Sequence, residues 1–162
     1  MAKEERLKIW ETLFQRALVL MDEARSSGIP VDEWTFGGGI FPEGEIDFVA
    51  SAPLTEEPAV SEQLFGHDIL VENSSEIVAK KVWYRGEQFT ARDIFDLAAV
   101  AEKEPGILTK ISPILQGRRD MVLARIEKHG ARLRQDFQAL QVLNCSRTFE
   151  QCVDIMRATL SR

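Results

Sequence analysis

Cysteine and histidine are scarce in this chain, with two of each among 162 residues. So few Cys and His residues cannot build a zinc-type ligand cluster, and two thiols make no disulfide framework. Cys145 and Cys152 stand seven apart, on one side of a helix if both are helical. They are expected to be buried, reduced thiols. Long apolar runs are lacking too, since none approaches the roughly 18 residues of a membrane span. The opening Met1-Ala2-Lys3-Glu4-Glu5-Arg6 is charged and leads into an amphipathic segment, unlike the apolar core of a signal peptide. A cytoplasmic setting away from membranes is therefore expected. Positive charge is in deficit, with 20 Lys and Arg against 26 Asp and Glu, a formal net charge of −6. That balance argues against broad, non-specific nucleic-acid binding but permits a local basic face. Internal repeats and low-complexity tracts are missing as well.

What is present suits a folded protein. Hydrophobic residues make up 44% of the chain, enough for a core, and the length fits one domain or one domain with a helical appendage. Leu7, Trp10, Phe14, Ala17, Met21 and Ala24 recur at spacings of three and four, predicting a helix over residues 3–27 that Gly28 and Pro30 end. Trp34-Thr35-Phe36 reads as a strand entering a turn at Gly37-Gly38-Gly39. Glu45 to Val49 alternates as a half-buried strand does, and Asp68 to Val71 is a third short strand. Helical periodicity takes over near Asn73. Asn73 to Glu76 and Thr90 to Asp93 both look like capping boxes. The first opens a helix ended by Arg85-Gly86 and the second a helix broken at Pro105-Gly106. A short helix over 107–115, a long one over 117–140 and a last one from Phe149 to about Leu160 follow. Val122, Ile126, Leu133, Phe137 and Leu140 line one side of the long helix. The sum is an α+β chain, with strands inside residues 1–72 and a helical region over 73–162.

Several residue groups could carry chemistry. Consecutive glycines let backbone approach a phosphate, though a tight turn uses them as well. Glu45 and Asp47 are two apart on a strand and share a face. Such a pair holds a divalent cation or is simply solvated. Lys80 and Lys81 sit mid-helix, where an ammonium neutralises a triphosphate or faces water. Asp93 and Asp96 are three apart on one helix face, and Asp93 also stands where an acid caps a helix. Arg118, Arg125 and Arg132 recur every seven residues, with Lys128 and Arg134 nearby, as a phosphate-binding stripe or a solvated face.

Taken in order, these segments resemble the motifs of the AbiEii/AbiGii-type nucleotidyltransferase toxins. The match runs over residues 34–100: the glycine turn, then Glu45-Ile46-Asp47-Phe48-Val49, then Glu76-Ile77-Val78-Ala79-Lys80-Lys81, then Arg92-Asp93-Ile94-Phe95-Asp96-Leu97. The resemblance implies a small strand cluster of nucleotidyltransferase type and transfer of a nucleoside monophosphate from a nucleoside triphosphate to an acceptor such as the 3′ end of tRNA. Mg²⁺ is the implied cofactor, and a cognate antitoxin an implied partner. Asp47, Lys81, Asp93 and Asp96 would be the catalytic set, gathered in one cleft. Gly37, Gly38, Lys81 or Lys80, and Arg92 would bind the nucleotide, and Asp47 with Glu45 the metal.

One departure stands out. In the family a helix-forming stretch and a strand bearing Asp-x-Asp follow the glycine turn. Here Gly39 runs directly into Ile40-Phe41-Pro42-Glu43-Gly44. Either the main metal aspartates are missing, or Glu45-x-Asp47 is itself that pair after a shortened loop. The first case implies little or no transfer. It also leaves Phe36, Phe41 and Phe48 short of covering sheet, which favours a homodimer. The alternative to an enzyme is a degenerate relative whose helices bind a partner or RNA.

Overall fold

The structure is a computed structural model that describes residues 3–28, 37–49, 51–140 and 146–161. It is α+β and divides into two compact units, Met1–Ala52 and Pro53–Arg162. The division falls at Ala52, not at the change of periodicity near Asn73. Each unit carries one two-stranded antiparallel sheet.

The first unit holds helix α1 (Lys3–Ser26) and the hairpin of β1 (Gly37–Phe41) and β2 (Gly44–Phe48). α1 ends where its stop signal predicts, and Gly28 takes the left-handed conformation at φ +74° that favours glycine at a helix end. The hairpin pairs Gly38 with Asp47, Gly39 with Ile46 and Ile40 with Glu45. The glycine triplet is therefore extended strand, and the turn sits one step later at Pro42-Glu43. The reason lies in the residues that follow. With Ile40 and Phe41 directly after the glycines, the chain reverses at the first Pro-containing dipeptide and the glycines fall opposite β2. Arg16 on α1 fastens the hairpin tip. It pairs with Glu43 at 3.1 Å and lies 4.7 Å from the Phe41 ring centre. Phe41 and Phe48 are half-buried, while Trp10 on the predicted apolar stripe is 66% exposed. Trp34 to Phe36 and Cys145 lie outside the described residues.

The second unit opens with a hairpin of β3 (Ala59–Leu64) and β4 (His67–Glu72). Sequence patterning found β4 and missed β3. The link is Phe65-Gly66, both at positive φ (+48° and +82°), the conformation of a type I′ two-residue turn. That turn is usually signalled by Asn-Gly or Asp-Gly, and a Phe at its first position hides it. Helix α2 (Ser74–Arg85) runs through a 3₁₀ turn (Gly86–Gln88) to α3 (Ala91–Lys103). Three more helices follow: α4 (Pro105–Lys110), α5 (Ser112–Gln138) and α6 (Phe149–Leu160).

Pro105 and Pro113 sit in the first turns of α4 and α5. Their ring-fixed φ and missing N–H suit that place, so these prolines start helices. The sequence-based boundaries at 107–115 and 117–140 give way accordingly. Gly117 stays helical inside α5, with a Cβ there reaching ordinary contact with Trp83 at 3.5 Å.

Every buried residue among those described lies from Glu76 onward. Val78 and Val82 of α2, Ile94 and Leu97 of α3, Val122, Ile126 and Leu133 of α5, and Val153, Met156 and Leu160 of α6 form one cluster with Phe89. Phe137 links Phe95 and Phe149 at centroid distances of 6.3 and 5.7 Å. At about 2 kcal/mol for each such side chain, this cluster holds α2 and α3 side by side, which positions the charged groups below. Gly86 lets the 3₁₀ turn approach α5, since a Cβ there would stand 2.8 Å from Met121 Sδ. Cys152 is buried in the same cluster.

Candidate functional site

The charged centre of the second unit is built where α2 ends and α3 begins. Lys81 and Arg85 are one helical turn apart on α2, so both extend from the same side. Thr90 caps α3, and Asp93 completes a reciprocal capping box. The Asp93 N–H donates to Thr90 Oγ at 3.2 Å, while Thr90 N–H and Oγ–H donate to Asp93 Oδ2 at 3.0 and 2.8 Å. The other carboxylate oxygen, Oδ1, receives Lys81 Nζ and Arg85 Nη1, each at 3.2 Å. Asp93 is thus fully buried yet has four donors, which meets the requirement for burying a charge. The cap of α3 and the contacts with Lys81 and Arg85 thus fall on different oxygens of Asp93.

Lys81 Nζ also donates to Asp96 Oδ2. The lysine side chain is 20% exposed and Asp96 29%. Arg92, one turn before Asp96, approaches the same oxygen at 3.9 Å and is 77% exposed. Lys81, Asp93, Asp96 and Arg92 therefore stand together where α2 meets α3. Arg85 joins them, and it was read from sequence only as the end of α2. Its spacing of four from Lys81 was the available signal.

Lys80 belongs to a different network. It pairs with Glu72 at 2.5 Å and with Glu76 at 3.4 Å. Burial pulls its pKa down, but Glu72 and Glu76 outweigh that and hold it above the ordinary lysine value. Lys80 thereby ties the end of β4 to α2.

Glu76 departs from the capping box expected over 73–76. Asn73 makes no side-chain cap bond. Its N–H goes to Pro58 O at 2.9 Å and its side-chain amide to Glu57 O at 2.6 Å. With those donors spoken for, the buried Glu76 carboxylate turns to the loop before β3. It accepts from Leu54 N–H at 3.0 Å, Thr55 N–H at 2.9 Å and Thr55 Oγ–H at 2.7 Å. Burial raises the Glu76 pKa. The Thr55 hydroxyl, the Leu54 and Thr55 amides and Lys80 more than reverse this, leaving it below the ordinary value.

Glu45 and Asp47 lie in the first unit, both exposed on one face of β2. Gly37 and Gly38 stand opposite Phe48 and Asp47 in β1. Asp47 belongs to the hairpin of the first unit and Lys81 to the helix pair of the second. Among the described residues, no group of three or more His, Cys, Asp or Glu side chains converges as a cation site. Also among them, no helix is long and apolar enough to cross a membrane.

No family model, no curated protein and no solved structure matches this chain. A groove of about 330 Å³ lined by Ala101, Leu108, Thr109, Ile155 and Thr159 among others carries no charged side chain. The arginine stripe of α5 is largely engaged within the chain. Arg118 lies 4.4 Å from the Trp83 ring centre, and Arg125 Nε donates to Phe89 O at 3.4 Å. Arg132 pairs with Asp136 at 3.0 Å, and Arg134 with Glu150 at 2.6 Å. The Lys81 cluster combines a partly buried ammonium, two arginines beside it and two carboxylates that hold it.

Proposed function

We propose that this chain is a nucleotidyltransferase-like protein of the AbiEii/AbiGii kind, a toxin of a toxin–antitoxin or phage-defence system. Its active-site chemistry would pass a nucleoside monophosphate from a nucleoside triphosphate to an acceptor such as the 3′ end of tRNA. The observation that carries this is Lys81 lodged between Asp93 and Asp96, with Arg85 and Arg92 beside it. Phosphoryl transfer asks a protein mainly for position and charge neutralisation. A partly buried ammonium on α2, held by two carboxylates of α3, supplies both to a triphosphate. In this reading Lys81 binds the phosphates and offsets charge on the leaving pyrophosphate, while Asp93 keeps the ammonium in place.

Glu45 and Asp47 are the carboxylates that would hold Mg²⁺, which supplies charge neutralisation at the phosphates when bound. Two carboxylates suit one cation shared with the substrate. Transfer that uses two ions needs a further set, which these residues lack unless Glu45-x-Asp47 is itself the Asp-x-Asp pair after a shortened loop. The proposal for these 162 residues is therefore triphosphate binding with little nucleotidyl transfer. A cognate antitoxin and a homodimer are the partners expected on the same grounds.

The test is equilibrium dialysis of each nucleoside triphosphate against the wild-type chain and Lys81→Met. Hydrogen bonds to charged groups are worth about 1.5–3 kcal/mol, so Lys81→Met is expected to weaken binding at least ten-fold. Equal binding by the two proteins would overturn the assignment. Salt-sensitive RNA binding with no triphosphate binding would favour the helical module instead.

A further inference from the structure

Asp93 and Asp96 hold Lys81 on unequal terms. Asp93 is fixed from four directions: Oδ2 by the Thr90 N–H and hydroxyl, Oδ1 by Arg85 and Lys81. It cannot move without uncapping α3. Asp96 has no such duties. Its carboxylate meets Lys81 and, more loosely, Arg92 one turn away on the same helix, and it faces solvent in part. If Lys81 turned toward a ligand, the Asp93 charge would still be met by Arg85 and Thr90. Asp96 would still have Arg92 within reach.

We propose that Asp96 is a displaceable counter-ion. It occupies Lys81 until a polyphosphate takes its place, and it then moves toward Arg92. The inference rests on Lys81 being the triphosphate contact and goes beyond it by fixing the sign of the Asp96 contribution. A carboxylate that positions the lysine for its ligand raises affinity. One that competes with the ligand lowers it. A polyphosphate carries more charge than one carboxylate and offers several acceptor oxygens to an ammonium with three donors, so it can win the exchange. Arg92, exposed and already near Asp96 Oδ2, is placed to receive the released carboxylate. The ligand class is then a compact polyanion, with affinity falling as salt rises.

The experiment uses inorganic tripolyphosphate without added metal, titrated calorimetrically into the full chain at fixed salt. The proteins are wild type, Asp96→Asn, Asp96→Ala and Lys81→Met. A partly exposed ion pair is worth up to about 1 kcal/mol, roughly five-fold in affinity. Both Asp96 variants are therefore expected to bind roughly five-fold more tightly than wild type, and Lys81→Met to lose binding. Circular dichroism checks that each variant is folded, and agreement between the Asn and Ala variants guards against an effect particular to one of them. Unchanged or weaker binding by the Asp96 variants, with binding still lost in Lys81→Met, would overturn the counter-ion role and leave the triphosphate site standing. Absence of binding in all four proteins, or binding indifferent to Lys81, would remove both.

Discussion

Replacing Asp93 by alanine removes a buried carboxylate that serves two purposes at once. Losing the reciprocal cap of α3 costs about 1 kcal/mol. Breaking a buried charge pair costs up to about 3–5 kcal/mol when the partner is left stranded. Here the partners are not fully stranded, because Lys81 keeps Asp96 and Arg85 is 55% exposed. About 2 kcal/mol is a fair figure for that part, giving about 3 kcal/mol in all. For a chain of this size the melting temperature should fall by about 6–12 °C. Asp96→Ala touches one partly exposed pair and should cost less than about 1 kcal/mol. Urea unfolding followed by tryptophan fluorescence measures both, in a Trp10→Phe, Trp34→Phe background that leaves Trp83 of the second unit as the reporter. An Asp93→Ala cost within about 1 kcal/mol of zero, or an Asp96→Ala cost exceeding it, would refute the unequal roles assigned to the two aspartates.

Other outcomes follow from neighbouring contacts. The Glu76 carboxyl lies below its ordinary value of 4.5, so the unfolded chain binds its proton more readily than the folded one. Its contribution to stability is whole above that value and lost as pH falls through the folded one. Urea midpoints measured from pH 7 to pH 3 should fall less steeply for Glu76→Gln, and an unchanged slope would count against the Thr55 anchor. Gly86→Ala, at a helical φ of −44°, should change stability by less than about 1 kcal/mol because the flexible Met121 side chain can give way, and a larger loss in a thermal melt would show that Met121 is held in place. Incubation with labelled nucleoside triphosphates, Mg²⁺ or Mn²⁺ and total tRNA should give little transfer. Robust labelling abolished by Asp47→Ala would show that Glu45-x-Asp47 is the metal pair. Sedimentation velocity is expected to show a dimer, and a monomer across the concentration range would rule that out.

The parts of the fold that were legible in sequence are those governed within one or two helical turns. The apolar spacing over residues 3–27, the Thr90 to Asp93 box and the Val122, Ile126, Leu133 and Phe137 face all obey local rules. The helix over residues 3–27, the capping box and the α5 face appear in the structure, although Leu7 and Trp10 of the first stripe stay exposed. The four residues Asp93, Asp96, Lys81 and Arg92 were legible as candidates through their motif order. The resemblance implied that they gather, but no local rule requires it, because it depends on the Gly86–Gln88 turn and a shared core laying α2 against α3. Arg85 went unassigned because a basic residue in the last turn of a helix has an ordinary role there.

Elsewhere the same side-chain types had more than one use, and tertiary contacts chose among them. Glu76 had the spacing of a cap. The Leu54-Thr55 loop brought it three donors, and Asn73 spent its own N–H on Pro58, so the carboxylate went to the loop. Lys80 and Lys81 are adjacent in sequence, but helical geometry sends one to Glu72 and Glu76 and the other to Asp93 and Asp96. The glycine triplet had the composition of a turn and became strand, because glycine fits either and the pairing with β2 decided. Sequence by itself determined that most of the chain is helical, where the Thr90 and Thr148 caps open α3 and α6, and which charges are available. Only the tertiary structure decided which opposite charges meet, because an ion pair depends on the distance between two elements and no local rule fixes that distance.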